Sequence, residues 1–214
     1  MGEWWSEWSS YRPSDFLLFS ARTYQRMFES YNAQVWPVHV LALALGLGVL
    51  TALALRRPSV SLTARVAFAS LGVAWLWMAW AFHWQRYAQI NWAATWFAAG
   101  FAVQGALMLV AASFEWQRHD GARGWAGLML LGFAIVVQPW LTLALTDRPW
   151  TEAELFGLAP DPTAIGTVGL LLAMRLSARS AGVRMVGLLL WPMALTWCLI
   201  GGMTRWTLCA ACHA

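Results

Sequence analysis

From Val35 to Leu55 the chain reads VWPVHVLALALGLGVLTALAL, with no charged side chain, and no other feature restricts its fold as much. About 20 apolar residues carry a helix across the hydrocarbon core of a bilayer. With no water there to satisfy backbone N–H and C=O groups, an isolated span of this kind has to be helical. Four more windows of the same character follow, at Leu62–Phe82, Trp92–Phe114, Trp125–Leu145 and Val186–Met203. Composition agrees, since 60% of the residues are hydrophobic and only 11% are charged, far from the balance of a soluble domain.

A sixth, shorter window opens at Asp161-Pro162, read as an N-cap followed by proline in the first turn. From Pro162 to Leu176 it covers about 22 Å at the helical rise, so Arg175 and Arg179 are expected to snorkel from its end. The expected fold is an all-α integral membrane bundle of six transmembrane helices over residues 35–203. An outer-face segment, 1–34, precedes it and a short tail, 204–214, follows.

Arginines in the short loops set the expected orientation. The first, third and fifth loops carry Arg56, Arg57, Arg65, Arg118, Arg123, Arg175, Arg179 and Arg184, whereas the second and fourth carry Arg86 and Arg148. The first set is therefore expected in the cytoplasm, with both termini on the periplasmic side of a bacterial inner membrane. All 14 basic residues are arginines and none forms a clustered basic face, which excludes nucleic acid as a partner.

The first 34 residues lack the basic region, apolar region and cleavage site of a signal peptide. Ser20 is suited to cap a helix in which Tyr24, Met27, Phe28 and Tyr31 share one face. With Trp4, Trp5 and Trp8 before it, this segment reads as an interfacial helix, the alternative being an arm that docks another subunit. Membrane lipid is thus an expected partner. Of the 17 tryptophans, Trp36, Trp84, Trp92, Trp116, Trp125, Trp150 and Trp206 fall at helix ends, as an aromatic belt requires. Trp75, Trp77, Trp80, Trp96, Trp140, Trp191 and Trp197 lie deeper, where packing is the simpler role. The spans hold Gln104 and Gln138 but no acid or base near their middle, which argues against an ion-coupled transporter.

The chain ends TRWTLCAACHA, so Cys209, Cys212 and His213 stand in the C-x-x-C-H spacing of c-type haem attachment. Two thiols three residues apart reach the two vinyl groups of one haem, and the adjacent imidazole becomes the proximal iron ligand. At this chain's own residue frequencies the pattern arises by chance about 0.001 times. Haem c is the cofactor this spacing implies. The same groups also suit copper or zinc, and an ordinary disulfide or a frayed end is the plainest alternative. His39 and His83 fall near the same outer surface, so either, or Met203, is a candidate sixth ligand to iron. A b-type haem bridged by His39 and His83 is a further arrangement. Cys198 reads as a packed thiol.

The stretches YNAQVWP (Tyr31 to Pro37), FHWQRYAQIN (Phe82 to Asn91), FGLAPDPTAIGTVGLLL (Phe156 to Leu172) and LIGG (Leu199 to Gly202) resemble a family of uncharacterised bacterial integral membrane proteins, a domain of unknown function. The resemblance covers about residues 15–203. It implies a six-helix inner-membrane fold and no particular activity. The terminal CAACHA departs from that pattern, so haem rests on the cytochrome signature alone.

No G-x-S-x-G, H-E-x-x-H or Walker loop is present, and hydrolase and transferase chemistry are set aside. The expected function is electron transfer by a membrane-anchored haem, not catalysis. The expected partners are a larger redox or photosynthetic membrane complex and a periplasmic cytochrome or other redox protein. A metal-transport protein using the same thiols, or a purely structural subunit, are the alternatives.

Overall fold

The computed structural model describes residues 19–55, 60–146, 149–177 and 180–211. Helix α1 (Ala21–Val35) starts as expected, because Ser20 is extended and its hydroxyl accepts the Thr23 amide at 3.2 Å. It stops at Trp36, since Pro37 has no N–H and forces the residue before it into the extended region. Helix α2 (Val38–Ala54) leaves at 87° to it. The aromatic face of α1 is turned to the chain's own bundle: Phe28 lies 5.1 Å from the Phe82 ring and Tyr24 6.0 Å from Tyr87.

Helix α3 (Val60–Trp77) widens into a π-helical turn, Met78–Trp84, followed by a 3-10 turn, Tyr87–Gln89. Then come α4 (Ala94–Ala111), strand β1 (Trp116–Arg118) and α5 (Gly121–Gly132). Through a second π turn, Phe133–Val137, α5 runs on into α6 (Gln138–Thr146). A 3-10 turn, Trp150–Glu152, leads to α7 (Pro160–Ala173), strand β2 (Met174–Leu176) and α8 (Ala181–Ala211).

Four stretches are long and apolar enough to cross a membrane, namely Val60–Gln89, Ala94–Ala111, Gly121–Leu141 and Ala181–Thr207. The bent pair α1 and α2 makes a fifth if it is counted as one span. Among the described residues the protein is therefore all-helical, apart from one short ladder, with four to five candidate spans by length and composition, against an expectation of six.

The difference lies at α7, whose 14 residues rise only about 21 Å. Met174 turns extended, and the chain pairs antiparallel with β1 instead of continuing as helix. Arg175 accordingly does not snorkel from a helix end. It lies exposed in the ladder, with Nη2 donating to Gln117 Oε1 at 2.6 Å. Asp161 is not the N-cap either, because Ala159 holds that position and Asp161 sits within the first turn.

Ten of the 14 residues of α7 are buried, which makes it the enclosed centre of the bundle rather than a lipid-facing span. Between α5 and α7 the backbones touch: a Cβ on Gly127 would meet the Ala173 nitrogen at 2.3 Å, and one on Gly169 the Leu131 nitrogen at 2.6 Å. In lipid, helices associate through such close packing and through polar contacts, because hydrocarbon gives no hydrophobic drive between them. Thr167 Oγ1 adds one, accepting from Trp75 Nε1 at 3.0 Å.

Hydrogen bonds gather the connections into two groups. In one, β1 pairs with β2, His119 N donates to Ala173 O at 2.8 Å, and Arg118 Nη1 donates to Leu53 O and Ala54 O at the end of α2. In the other, Tyr31 donates to Leu158 O, Asn32 to Thr151 O and Ala153 O, and Arg86 to Gln34.

Trp36, Trp84, Trp92, Trp125, Trp150 and Trp206 are exposed, as belt residues would be. Trp116 differs. It is buried, stacked on Phe68 at 4.2 Å, and donates to Ala111 O. Of the deeper set, Trp75 and Trp197 are buried by packing, whereas Trp80, Trp96 and Trp140 face outward. The expected tail from Thr204 begins as helix, since TRWTLCAA contains no helix breaker.

Candidate functional site

One turn before Cys209, Arg205 on α8 is held by two carboxylates. Its Nε donates to Asp161 Oδ2 at 2.8 Å and its Nη2 to Glu154 Oε2 at 2.5 Å. Trp197 Nε1 donates to the other Asp161 oxygen at 2.9 Å. Gly201 makes this approach feasible, because a Cβ there would lie 2.5 Å from Asp161 Oδ1. Trp197, Gly201 and Arg205 recur every four residues and so form one face of α8, the face turned to α7. This cluster was not legible as a site: its two acids stand in a loop and a helix start, and Arg205 falls beyond the last apolar window.

Four sequence stretches converge here. Tyr31 and Asn32 come from YNAQVWP, His83 and Arg86 from FHWQRYAQIN, Leu158 and Asp161 from FGLAPDPTAIGTVGLLL, and Gly201 from LIGG. Tyr31 Oη both donates to Leu158 O at 3.0 Å and accepts from Trp77 Nε1 at 2.9 Å, with the Arg86 guanidinium 4.8 Å above its ring. Gly157 takes a positive φ of 84° that a side chain would strain, and its N–H donates to Thr163 Oγ1.

His39 and His83 have different neighbours. His39 is buried, with Nε2 3.2 Å from Asn32 Oδ1. His83 has no exposed surface and is walled by rings, Phe101 at 4.2 Å, Trp197 at 4.9 Å, Phe82 at 5.1 Å and Tyr87 at 5.9 Å. Neither of its ring nitrogens has a hydrogen-bond partner among the described residues. Ligating a haem from this position requires moving one of those rings. Met203 is exposed on α8, and Cys198 is half-buried on the same helix. His119 lies beside the β ladder, where burial first, then the Arg123 and Arg175 guanidinium groups, hold its imidazole below the ordinary range.

Cys212, His213 and the Cys209 side chain lie outside the described residues, and so do Trp4, Trp5, Trp8, Arg56, Arg57, Arg148 and Arg179. Among the described residues no group of three or more His, Cys, Asp or Glu is arranged to hold a metal. The α8 backbone is helical through Cys209 to Ala211. Two thiols and an imidazole in this spacing are the donor set that haem c takes.

The chain matches a family described as "Family of unknown function (DUF6064)" over residues 21–210, a match that ends before Cys212 and His213. No curated protein and no solved structure matches it.

Proposed function

Because the chain belongs to DUF6064, a family of unknown function, its role has to be read from its own residues, and we propose that it is a membrane-anchored electron-transfer protein. The observation that carries this reading is the complete C-x-x-C-H at the end of α8. Cys209 and Cys212 would hold the haem as thioethers and His213 would ligate its iron. When bound, the haem supplies one-electron cycling of iron, tuned by its second axial ligand and its exposure. Met203 is favoured as that ligand, since His39 and His83 are enclosed by their own neighbours. Arg205, locked to Asp161 and Glu154, fixes the helix turn that precedes the motif. The protein acts as an electron carrier and accessory subunit of a larger redox complex, not as an enzyme by itself.

Six membrane crossings complete the proposal, with α7 as the fifth in order, and with both termini on the periplasmic side of a bacterial inner membrane. The two groups of hydrogen-bonded connections support it. The ends of α2, α4 and α7 are bonded together in one group, and the starts of α2 and α7 and the ends of α3 and α8 belong to the other, as alternate crossings require.

A haem stain of the purified protein on a denaturing gel, beside a Cys209→Ala, Cys212→Ala double variant, tests the reading. Covalent haem in the parent and none in the variant is the expected result. A parent matured in a host that makes c-type cytochromes yet carrying no covalent haem would refute it.

A further inference from the structure

A groove of about 350 Å³ runs between α2 and α3, within the range of ligand-binding pockets. On α2 it is lined by Val38, Leu41, Ala42, Leu45, Gly46 and Val49, an unbroken stripe at helical spacing. The facing wall of α3 runs from Ala67 to Trp77, and Phe156, Leu131 and Leu170 close the floor. Ser70 and Trp77 are the two lining residues with a polar side-chain group, and both are already engaged, the Ser70 hydroxyl donating to Ala67 O at 3.0 Å and Trp77 Nε1 to Tyr31 Oη at 2.9 Å. Nothing along the groove asks its occupant for a hydrogen bond.

Shape identifies the occupant. From Val38 to Val49 the groove rises about 16 Å along α2, and from Ala67 to Trp77 about 15 Å along α3. Half of a hydrocarbon core about 30 Å thick is about 15 Å, so the groove spans one leaflet. A volume of 350 Å³ over that length leaves a cross-section of about 20 Å². A helix, about 10 Å across with its side chains, is too wide, whereas one extended hydrocarbon chain fits. The groove also opens sideways, because Leu41, Leu45 and Val73 on its rim are exposed on the bundle surface. Its Val38 and Trp77 end lies beside Trp36, where α1 turns away at 87°, which marks the membrane surface.

We propose that this groove is a binding site for one acyl chain of a phospholipid, taken from the leaflet at the α1 end. The headgroup would lie at the level of Trp36, and the chain would follow the α2 stripe down to Val49. The site is independent of the haem reading and depends only on α2 and α3 crossing the bilayer.

The test uses the full chain, purified in mild detergent from membranes of phosphatidylethanolamine and phosphatidylglycerol, and counts retained lipid by native mass spectrometry. Ala74→Trp fills the groove from the α3 wall, and Ala44→Trp adds the same bulk to an exposed α2 position outside it. One retained phospholipid on the parent and on Ala44→Trp, and none on Ala74→Trp, is expected. Retention that Ala74→Trp leaves unchanged, or a retained quinone mass in place of phospholipid, would overturn the proposal. A phospholipid with a diazirine at mid-chain, photolysed with the unaltered protein in vesicles, keeps the test decisive where the variant misfolds. Crosslinks at Leu45, Gly46 or Val73 are expected, and crosslinks spread evenly over the exposed helix faces would count against a site.

Discussion

Arg205 and Asp161, 44 positions apart, meet through Nε and Oδ2 at 2.8 Å and tie the end of α8 to the start of α7. Glu154 takes the remaining direction of the guanidinium and is itself almost wholly buried, while a third of Arg205 stays exposed. Removing the cation leaves two desolvated carboxylates facing each other. Breaking a buried pair from one side costs about 3–5 kcal/mol, and the exposure of Arg205 sets the lower end of that range here. Arg205→Leu should lower the thermal midpoint in detergent clearly, and Arg205→Lys should recover part of the loss, since an ammonium can reach one carboxylate but cannot fork to both. Equal stability of all three proteins would show that the network contributes nothing.

Gly127 answers to a different force. Its missing Cβ is what lets α5 touch the α7 backbone, so Gly127→Leu has to push two helices apart. Overpacking of this kind costs about 1–3 kcal/mol, and more where backbone must move. Gly132 on the same helix is the control, because a Cβ there meets only Leu50 Cδ2 at an ordinary 3.4 Å. Gly132→Ala should gain about 0.5–1 kcal/mol through helix propensity. Opposite signs in guanidinium-free thermal melts are expected from two glycines five residues apart.

The spans were legible because hydrocarbon imposes a length and a composition that survive in any window of sequence. The cap at Ser20 was legible for a local reason, since the hydroxyl and the amide it bonds are three residues apart. What failed to show were relations over long separations. Trp116 sits at a helix end like its belt neighbours, yet the Phe68 ring 48 positions earlier draws it inside. The end of α7 depends on β1, three residues long and with no pattern of its own. Asp161 looks like a cap, and only the presence of Arg205 and Trp197 on another helix gives it other bonds. The haem-attachment spacing is visible as chemistry in the sequence, while the enclosure of His39 and His83 emerges only from packing.

His83 carries an unmet demand. Two ring nitrogens without partners among the described residues, inside a wall of aromatic rings, represent polar groups buried at a cost of about 1–3 kcal/mol. His83→Leu removes that cost while keeping most of the volume, so the variant should melt higher than the parent by about 1 kcal/mol of stability. Under the proposed function, covalent haem attachment and the optical spectrum should be unchanged by this substitution. A spectral shift on this substitution would instead make His83 an axial ligand, and loss of stability would mean that a water or another group satisfies its nitrogens.

Gln117 and Thr151 report the two ends of the bundle, the first from within the β ladder and the second from the turn that accepts Asn32. Both are exposed, so a cysteine at either is open to a reagent on its own side. In a chain with Cys198, Cys209 and Cys212 replaced by alanine, a membrane-impermeant maleimide applied to spheroplasts should label Thr151→Cys at once. Gln117→Cys should react only after the membrane is permeabilised. This follows from the arginine asymmetry, since Arg118, Arg123 and Arg175 surround the ladder and short arginine-rich loops stay in the cytoplasm. The reverse pattern would turn the molecule over and carry the C-x-x-C-H motif to the cytoplasmic face, away from where thioether haem is attached. Labelling of both positions from one side would remove a crossing between them, and with it the six-helix arrangement built on α7.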